Sequence, residues 1–313
     1  MSFADELEAA AAAVREGALP AVVGVGRRWP SGSGVVFAEG LVVTSAHNVH
    51  SERPQVHFSD GTRRDGESVN VDVAGDLAVI KVETGEAPAA RWGSAEPQLG
   101  TPVFAAANPG GRGLRLSFGV VSAQDQDFRG PEGHAITGSF EHTAPLPHGS
   151  SGGPVLSLTG ELLGINTKRL GEGLYAALRA DAALRTRLED LGRGEQIARP
   201  YLGVGLLPSE VARRLRASVG LEERNGVLVQ HLDAEGPAAA AGVIKGDLLT
   251  KAHGLALSRT ADLHRAMAAL KPGDQIELEL VRGAEEKRLT ATLGTAPERA
   301  EQELRGRRYH RRR

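Results

Sequence analysis

Between Leu19 and Thr167 the apolar positions come in short β-branched runs, each closed by a turn: AVVGVG, GVVFAEGLVVTSAH, QVHFSDGT, LAVIKVE, TPVFAAA, LSFGVVSA, HAITGSFE and GPVLSLTGELLGINT. Such runs, broken by SDG, TGE and AEG, predict an antiparallel all-β barrel or sandwich. Helical spacing is confined to the flanks of this region. MSFADELEAAAAAVREG reads as a short amphipathic helix. DAALRTRLEDLG, Asp181 to Gly192, sets leucine and arginine at helical spacing and stops on a glycine.

The pattern changes after GRGEQIARP, Gly192 to Pro200, a charged stretch ending in proline that reads as a linker. Strand YLGVGLL, helix PSEVARRLRASVG, strand GVLVQHL, helix TADLHRAMAALKPGD and strands QIELELVRG and KRLTATLG then make an α+β module with its own apolar faces. The expected division is a helical segment 1–18, an all-β domain 19–191, a linker 192–200, an α+β domain 201–296 and a basic tail 297–313. No period of about 20–50 residues recurs, which excludes a solenoid.

Composition narrows the function classes. The 313 residues exceed one ordinary core, which favours two domains, and 40 glycines beside only 4% aromatics suit short strands joined by tight turns. With no cysteine there is no disulfide framework, thiolate nucleophile or cysteine-ligated zinc, and no metal site or cofactor is expected. No apolar run reaches the roughly 20 residues of a membrane span. No basic residue precedes the N-terminal alanine run, so a secretory signal is not expected and the cytoplasm is the expected location, export requiring a further segment upstream. Six arginines and no acid occupy 305–313, which leaves the remainder of a chain of net charge −2 at −8. The tail reads as solvated, and so acidic a body argues against nucleic acid as the main partner.

Against this background HGSSGGPVL, His148 to Leu156, stands out. Alone it is a turn. A serine on a tight glycine-lined corner can also be a nucleophile, given a base and a group to orient that base. LVVTSAHNV ends an apolar strand at His47, and GDLAVIKV places Asp76 directly before another. Each is ordinary in isolation, a strand cap and a turn residue. Together His47, Asp76 and Ser151 fill the roles of base, orienting acid and nucleophile in one all-β domain. His50 and His57 lie near His47 but lack its TSAH context, and Asp72 is not followed by the LAV run.

The strings TSAH, DLAVIKV and GSSGGPV resemble the three motifs of chymotrypsin-fold serine proteases, specifically the HtrA/DegP family. GSGVVF, NPGG, FGVVSA and GELLGINT lie where that family has similar strings, and the second module resembles the PDZ domain that follows its protease domain. The resemblance implies an all-β double barrel of chymotrypsin type followed by a smaller α+β PDZ-like domain. It implies a serine endopeptidase of protein quality control, cleaving unfolded or misfolded proteins through an acyl-enzyme.

In the family pattern Ser151 is the nucleophile, Gly149 and Ser151 supply the oxyanion-hole N–H groups, and Ser150 is a spacer. TAPLP, Thr143 to Pro147, with Pro145 and Leu146 at its centre, would help form the S1 pocket. It holds no acid, so small or aliphatic P1 side chains are expected. YLGV, namely Tyr201, Leu202, Gly203 and Val204, would be the loop that captures peptide C-termini. A helix carrying Leu263, Ala266, Met267 and Leu270 would form the opposite wall of that groove, although such a stripe also suits plain core. A homo-oligomer, a trimer built through the N-terminal region, is implied as well, although residues 1–17 offer only Phe3 as an aromatic for such a contact. The chain departs from the family at Thr143, Pro147 and His148, which motivates the alternative of a catalytically idle, chaperone-like or scaffolding protein.

Overall fold

The structure, a computed structural model, describes residues 2–26, 31–94, 96–129, 135–171, 173–195, 200–267 and 270–295. The expected tail at 297–313 and residues 196–199 of the expected linker lie outside them. The chain divides into one compact unit up to Ile197 and a second from Ala198.

In the first unit helix α1, Phe3–Gly17, starts on a reciprocal cap in which Asp5 N–H donates to the Ser2 hydroxyl and Ser2 N–H to the Asp5 carboxylate. Its stripe of Leu7, Ala10, Ala11 and Val14 faces the core, with Val14 fully buried. Strands β1 (Val22–Val25), β2 (Gly32–Ala38), β3 (Leu41–Thr44), β4 (Gln55–His57), β5 (Arg63–Asp65), β6 (Glu67–Asp72) and β7 (Leu77–Lys81) form an antiparallel sheet in the order β5-β4-β1-β2-β3-β7-β6. Strands β8 (Pro102–Ala107), β9 (Arg115–Arg129), β10 (Ala135–His142), β11 (Pro154–Leu156), β12 (Leu162–Gly171) and β13 (Leu174–Arg179) close into a barrel in the order β10-β13-β12-β11-β8-β9.

Sheet and barrel share one core, in which Val36, Val43 and Ile80 belong to the same cluster as Leu156, Leu162 and Ile165. Strands covered on both faces need no polar alternation. This is why LVVT and LAVI are continuous apolar runs, with Val42, Val43 and Leu77 to Ile80 fully buried. Helix α2, Ala182–Gly192, begins where Asp181 accepts the N–H of Leu184 (2.8 Å) and buries Leu184, Leu188 and Leu191. Each such leucine contributes about 1.5–3 kcal/mol of burial.

The second unit holds β14 (Pro200–Tyr201), β15 (Val204–Leu207), α3 (Ser209–Ser218), β16 (Val227–Leu232), α4 (Pro237–Ala240), β17 (Leu248–Ala252), β18 (Leu255–Ala256), α5 (Thr260–Met267), β19 (Gln275–Arg282), β20 (Glu285–Thr292) and β21 (Gly294–Thr295). Its main sheet runs β15-β16-β17-β19-β20. In QIELELVR the isoleucine and leucines at 276, 278 and 280 are buried, while Glu277 is exposed and Glu279 half-buried. That is the alternation of a sheet with one covered face. The expected strand YLGVGLL is broken in two. Tyr201 pairs with Gly294, Val204 pairs with Leu232, and between them Gly203 turns the chain at φ +81°.

Candidate active site

Strand β3 ends at Thr44, and the chain passes at once into a single 3₁₀ turn, Ala46–Asn48, that carries His47. Asp76 occupies the tight turn between β6 and β7 at φ +53°, a left-handed conformation that aspartate tolerates better than most residues, and is 2% exposed. The two side chains meet. His47 Nδ1 lies 2.8 Å from Asp76 Oδ1 and 2.9 Å from Oδ2, and the His47 backbone N–H donates to Oδ1 at 3.2 Å. A carboxylate only accepts, so the imidazole proton sits on Nδ1 and the Nε2 lone pair is left as a base.

Ser151 follows a loop held from several directions. Ser150 donates its hydroxyl to Pro147 O (2.7 Å), and Gly153 N–H donates to Ser150 O (3.0 Å). Ser150 is therefore not a mere spacer: it is buried and closes the turn. Gly149 and Gly152 both take φ +88°, where a side chain is strained. At Gly152 a Cβ would in addition lie 2.2 Å from Ser33 O. The Ser151 hydroxyl donates to Thr167 O (2.8 Å), and the Thr167 hydroxyl donates to Asp76 Oδ2 (2.7 Å).

Strand β2 and the His47 turn grip the same loop. Ser33 Oγ donates to Gly149 O (2.9 Å), Ser33 N–H to Ser151 O (3.0 Å), and Asn48 Nδ2 to Ser151 O (2.8 Å). From the barrel, Asn166 O accepts Gly152 N–H (2.6 Å), and Asn166 Nδ2 donates to Gly153 O and Pro154 O. His142 Nε2 in turn donates to Asn166 Oδ1 (2.7 Å). Burial pushes this fully enclosed histidine down to about 4, so it is neutral.

His47, Gly149 and Ser151 line one cavity of about 290 Å³. Leu146, Tyr175 and Ala176 supply apolar wall, and His148, Lys168 and Arg169 also border it. Of the two residues expected at a pocket here, Leu146 lines the cavity but Pro145 does not. Along this segment Ala144 and Leu146 are buried, whereas Pro145 between them is exposed. The competing residues serve the fold. His57 is buried and bonds Gly26 O at 3.0 Å, and Asp72 pairs with Arg187 of α2 and accepts Gly75 N–H.

In the second unit Tyr201 donates its hydroxyl to Asp233 (3.1 Å), while the carbonyls of Leu202 and Gly203 accept the N–H groups of Ala238 and Asp233. Leu263 and Met267 are buried core, whereas Ala266 and Leu270 are only partly covered. Sequence reasoning passed over Thr167, Asn166, His142, Ser33 and Asn48 as parts of the site. Only the GINT string around Asn166 and Thr167 hinted at them. Among the described residues no three histidines or acids converge as a metal-binding group.

A trypsin-like peptidase domain family matches residues 32–165, and a PDZ domain family matches residues 200–293. Proteins of Ectopseudomonas mendocina and Halomonas elongata, both named probable periplasmic serine endoprotease DegP-like, are each 32% identical over 275 residues. Those matches cover 85% of this chain, which spans 57% of either relative's length. Among solved structures, the HtrA-type protease AlgW with decapeptide superposes with a TM-score of 0.76 at 25% identity, over 91% of this chain and 98% of that one.

The relatives' names overturn the expected cytoplasmic location and point to the periplasm. That expectation rested on residues 1–17. Of these, Phe3–Gly17 form a helix capped by Ser2, and its buried Val14 belongs to the core. Among the described residues no helix is long and apolar enough to cross a membrane.

Proposed function

Because the chain belongs to the HtrA/DegP family, a trypsin-like peptidase domain followed by a PDZ domain, we propose that it is a serine endopeptidase acting on unfolded or exposed segments of other proteins. The observation that carries this reading is the His47 imidazole, fixed through Nδ1 on buried Asp76 and sharing a cavity with Ser151. Rotation of Ser151 about χ1 transfers its hydroxyl from Thr167 O to His47 Nε2. Ser151 Oγ then attacks the scissile carbonyl carbon as its proton passes to Nε2, and Asp76 stabilises the imidazolium.

The N–H groups of Gly149 and Ser151 receive the oxyanion, each worth about 3 kcal/mol to the transition state. Two features favour this. Position 149 holds φ +88°, which glycine adopts without strain, and the Ser150 carbonyl, committed to Gly153 N–H, turns the trans Ser151 N–H to the opposite side. The C–N bond breaks as His47 returns its proton to the leaving amine, and water hydrolyses the ester by the same route. Leu146, Tyr175 and Ala176 suit a small or aliphatic side chain at the cleaved position.

In the second unit the turn at Tyr201 to Val204 binds a peptide C-terminus, and the peptide adds a strand beside β15, which among described pairings has only β16 as partner. Copies of the chain associate as a trimer through α1, where Phe3 is 73% exposed. Sedimentation of the purified protein tests the trimer.

The decisive experiment is Ser151→Ala. The native protein should hydrolyse casein and take up a fluorophosphonate label, and the variant should do neither while keeping its circular dichroism. Undiminished activity in the variant would refute the assignment.

A further inference from the structure

The cavity at Ser151 has an unusual charge for this chain. The residues outside the arginine tail carry a net −8, yet no acid lines the cavity among the described residues. Lys168, Arg169 and His148 border it, and the carboxylate of the site, Asp76, is sealed behind His47 at 2% exposure. Arg169 is held in place by its Nε donating to Gly171 O (3.1 Å) and by the Tyr175 ring, 6.0 Å from its guanidinium carbon. Neither contact is with a carboxylate.

Both cations continue β12 directly from Thr167, whose carbonyl accepts the nucleophile's hydroxyl. That strand pairs with β11 only up to Ile165, whereas its pairing with β13 runs on to Gly171. From Lys168 onward its other edge is therefore open among the described pairings, in the position where an extended peptide would add as a strand. At about 3.3 Å per residue, Lys168 and Arg169 fall one to three residues from the attacked carbonyl. They lie on its acyl side, because the cavity holds the side chain of the residue being acylated.

Resting on the endopeptidase reading, the geometry points to Lys168 and Arg169 as specificity-determining residues that select an acidic side chain one to three residues N-terminal to the residue whose carbonyl is attacked, the latter being aliphatic and seated in the cavity. The acid brings a negative charge to a cavity wall that holds no carboxylate among the described residues. The acidic body of the protein repels such substrates everywhere else, so the recognition is local to the cleft.

The test uses peptide pairs that differ only in Glu against Gln at each of those three positions, with Val at the cleaved position. The Glu peptide should be cleaved with a kcat/KM about fivefold higher at low salt, the gain of one or two rim ion pairs, and the ratio should shrink toward unity at roughly 0.5 M NaCl. The double variant Lys168→Glu/Arg169→Glu, altered at two exposed positions, should invert the preference toward Lys peptides. Equal rates for Glu and Gln in the native protein, or an unchanged preference in the double variant, would overturn the inference while leaving the protease assignment standing. Should no peptide be cleaved and no fluorophosphonate bind, the protease reading fails. Fluorescence anisotropy of the same labelled peptides on Ser151→Ala then decides the charge question, tighter binding of Glu than Gln supporting it and equal binding refuting it.

Discussion

Thr167 donates its hydroxyl to Asp76 Oδ2 at 2.7 Å, on the same carboxylate that faces His47 Nδ1. The next atoms of the same residue, its carbonyl group, accept the Ser151 hydroxyl. One strand residue thus touches both ends of the constellation. Thr167→Val keeps the shape of the side chain and removes the donor. A hydrogen bond to a buried charge is worth about 1.5–3 kcal/mol, so kcat should fall by about tenfold or more with little change in KM. Steady-state kinetics on one peptide checks it, and an unchanged kcat would mean that the carboxylate is held well enough by His47 alone.

Gly152→Ala should be far more damaging than its single methyl suggests. The residue sits at φ +88°, and the new Cβ would fall 2.2 Å from Ser33 O and 2.6 Å from Thr44 Oγ1. Left-handed strain alone costs roughly 1–3 kcal/mol, and the clash with a backbone carbonyl adds to it. The expected result is a lowered melting temperature together with lost activity. A variant of native stability and rate would show that the loop can relax.

Acidification should weaken the fold through His142. Its folded value of about 4 lies below the ordinary 6.5, so the unfolded chain binds more protons between those two pH values. Stability is then fully present above about pH 6.5 and is lost as pH falls toward 4, by at most about 3 kcal/mol. His57, lowered chiefly by burial, acts in the same direction. Gln can still donate to Asn166 Oδ1 but does not titrate. His142→Gln should therefore show a smaller drop in melting temperature between pH 7 and pH 5 than the native chain, and parallel curves would remove His142 from the account.

Ser33→Ala removes a fully buried hydroxyl that donates to Gly149 O and accepts Asn108 N–H (2.9 Å). Leaving both partners unsatisfied costs about 1–3 kcal/mol. Because one of them belongs to the loop that presents Ser151, kcat should fall along with stability, whereas a loss of stability alone would separate loop support from catalysis.

The strands could be read from the chain because both of their faces are covered, which turns LVVT and LAVI into uninterrupted runs without polar alternation. His47, Asp76 and Ser151 stood out because each follows or precedes such a run in a short, recognisable string. Pro145 does not line the cavity because burial alternates along Ala144, Pro145 and Leu146, and nothing local in the sequence says which of them faces it. The break at Gly203 was missed because glycine is silent about φ until the fold sets it. Thr167, Asn166 and Ser33 were beyond reach for another reason: their roles depend on partners up to 116 positions away in sequence, and a threonine or serine in a strand has no local mark of such a bond.

The grip of Ser33 and Asn48 on the loop that belongs to Ser151 joins residues from the first sheet to a loop between strands of the barrel. Neither half holds a finished site. A growing or half-folded copy has its base on one side and its nucleophile loop, with β2 not yet against it, on the other. His47 and the loop that presents Ser151 are therefore brought together only where the sheet and the barrel have closed on each other, and a half-folded copy lacks the finished constellation.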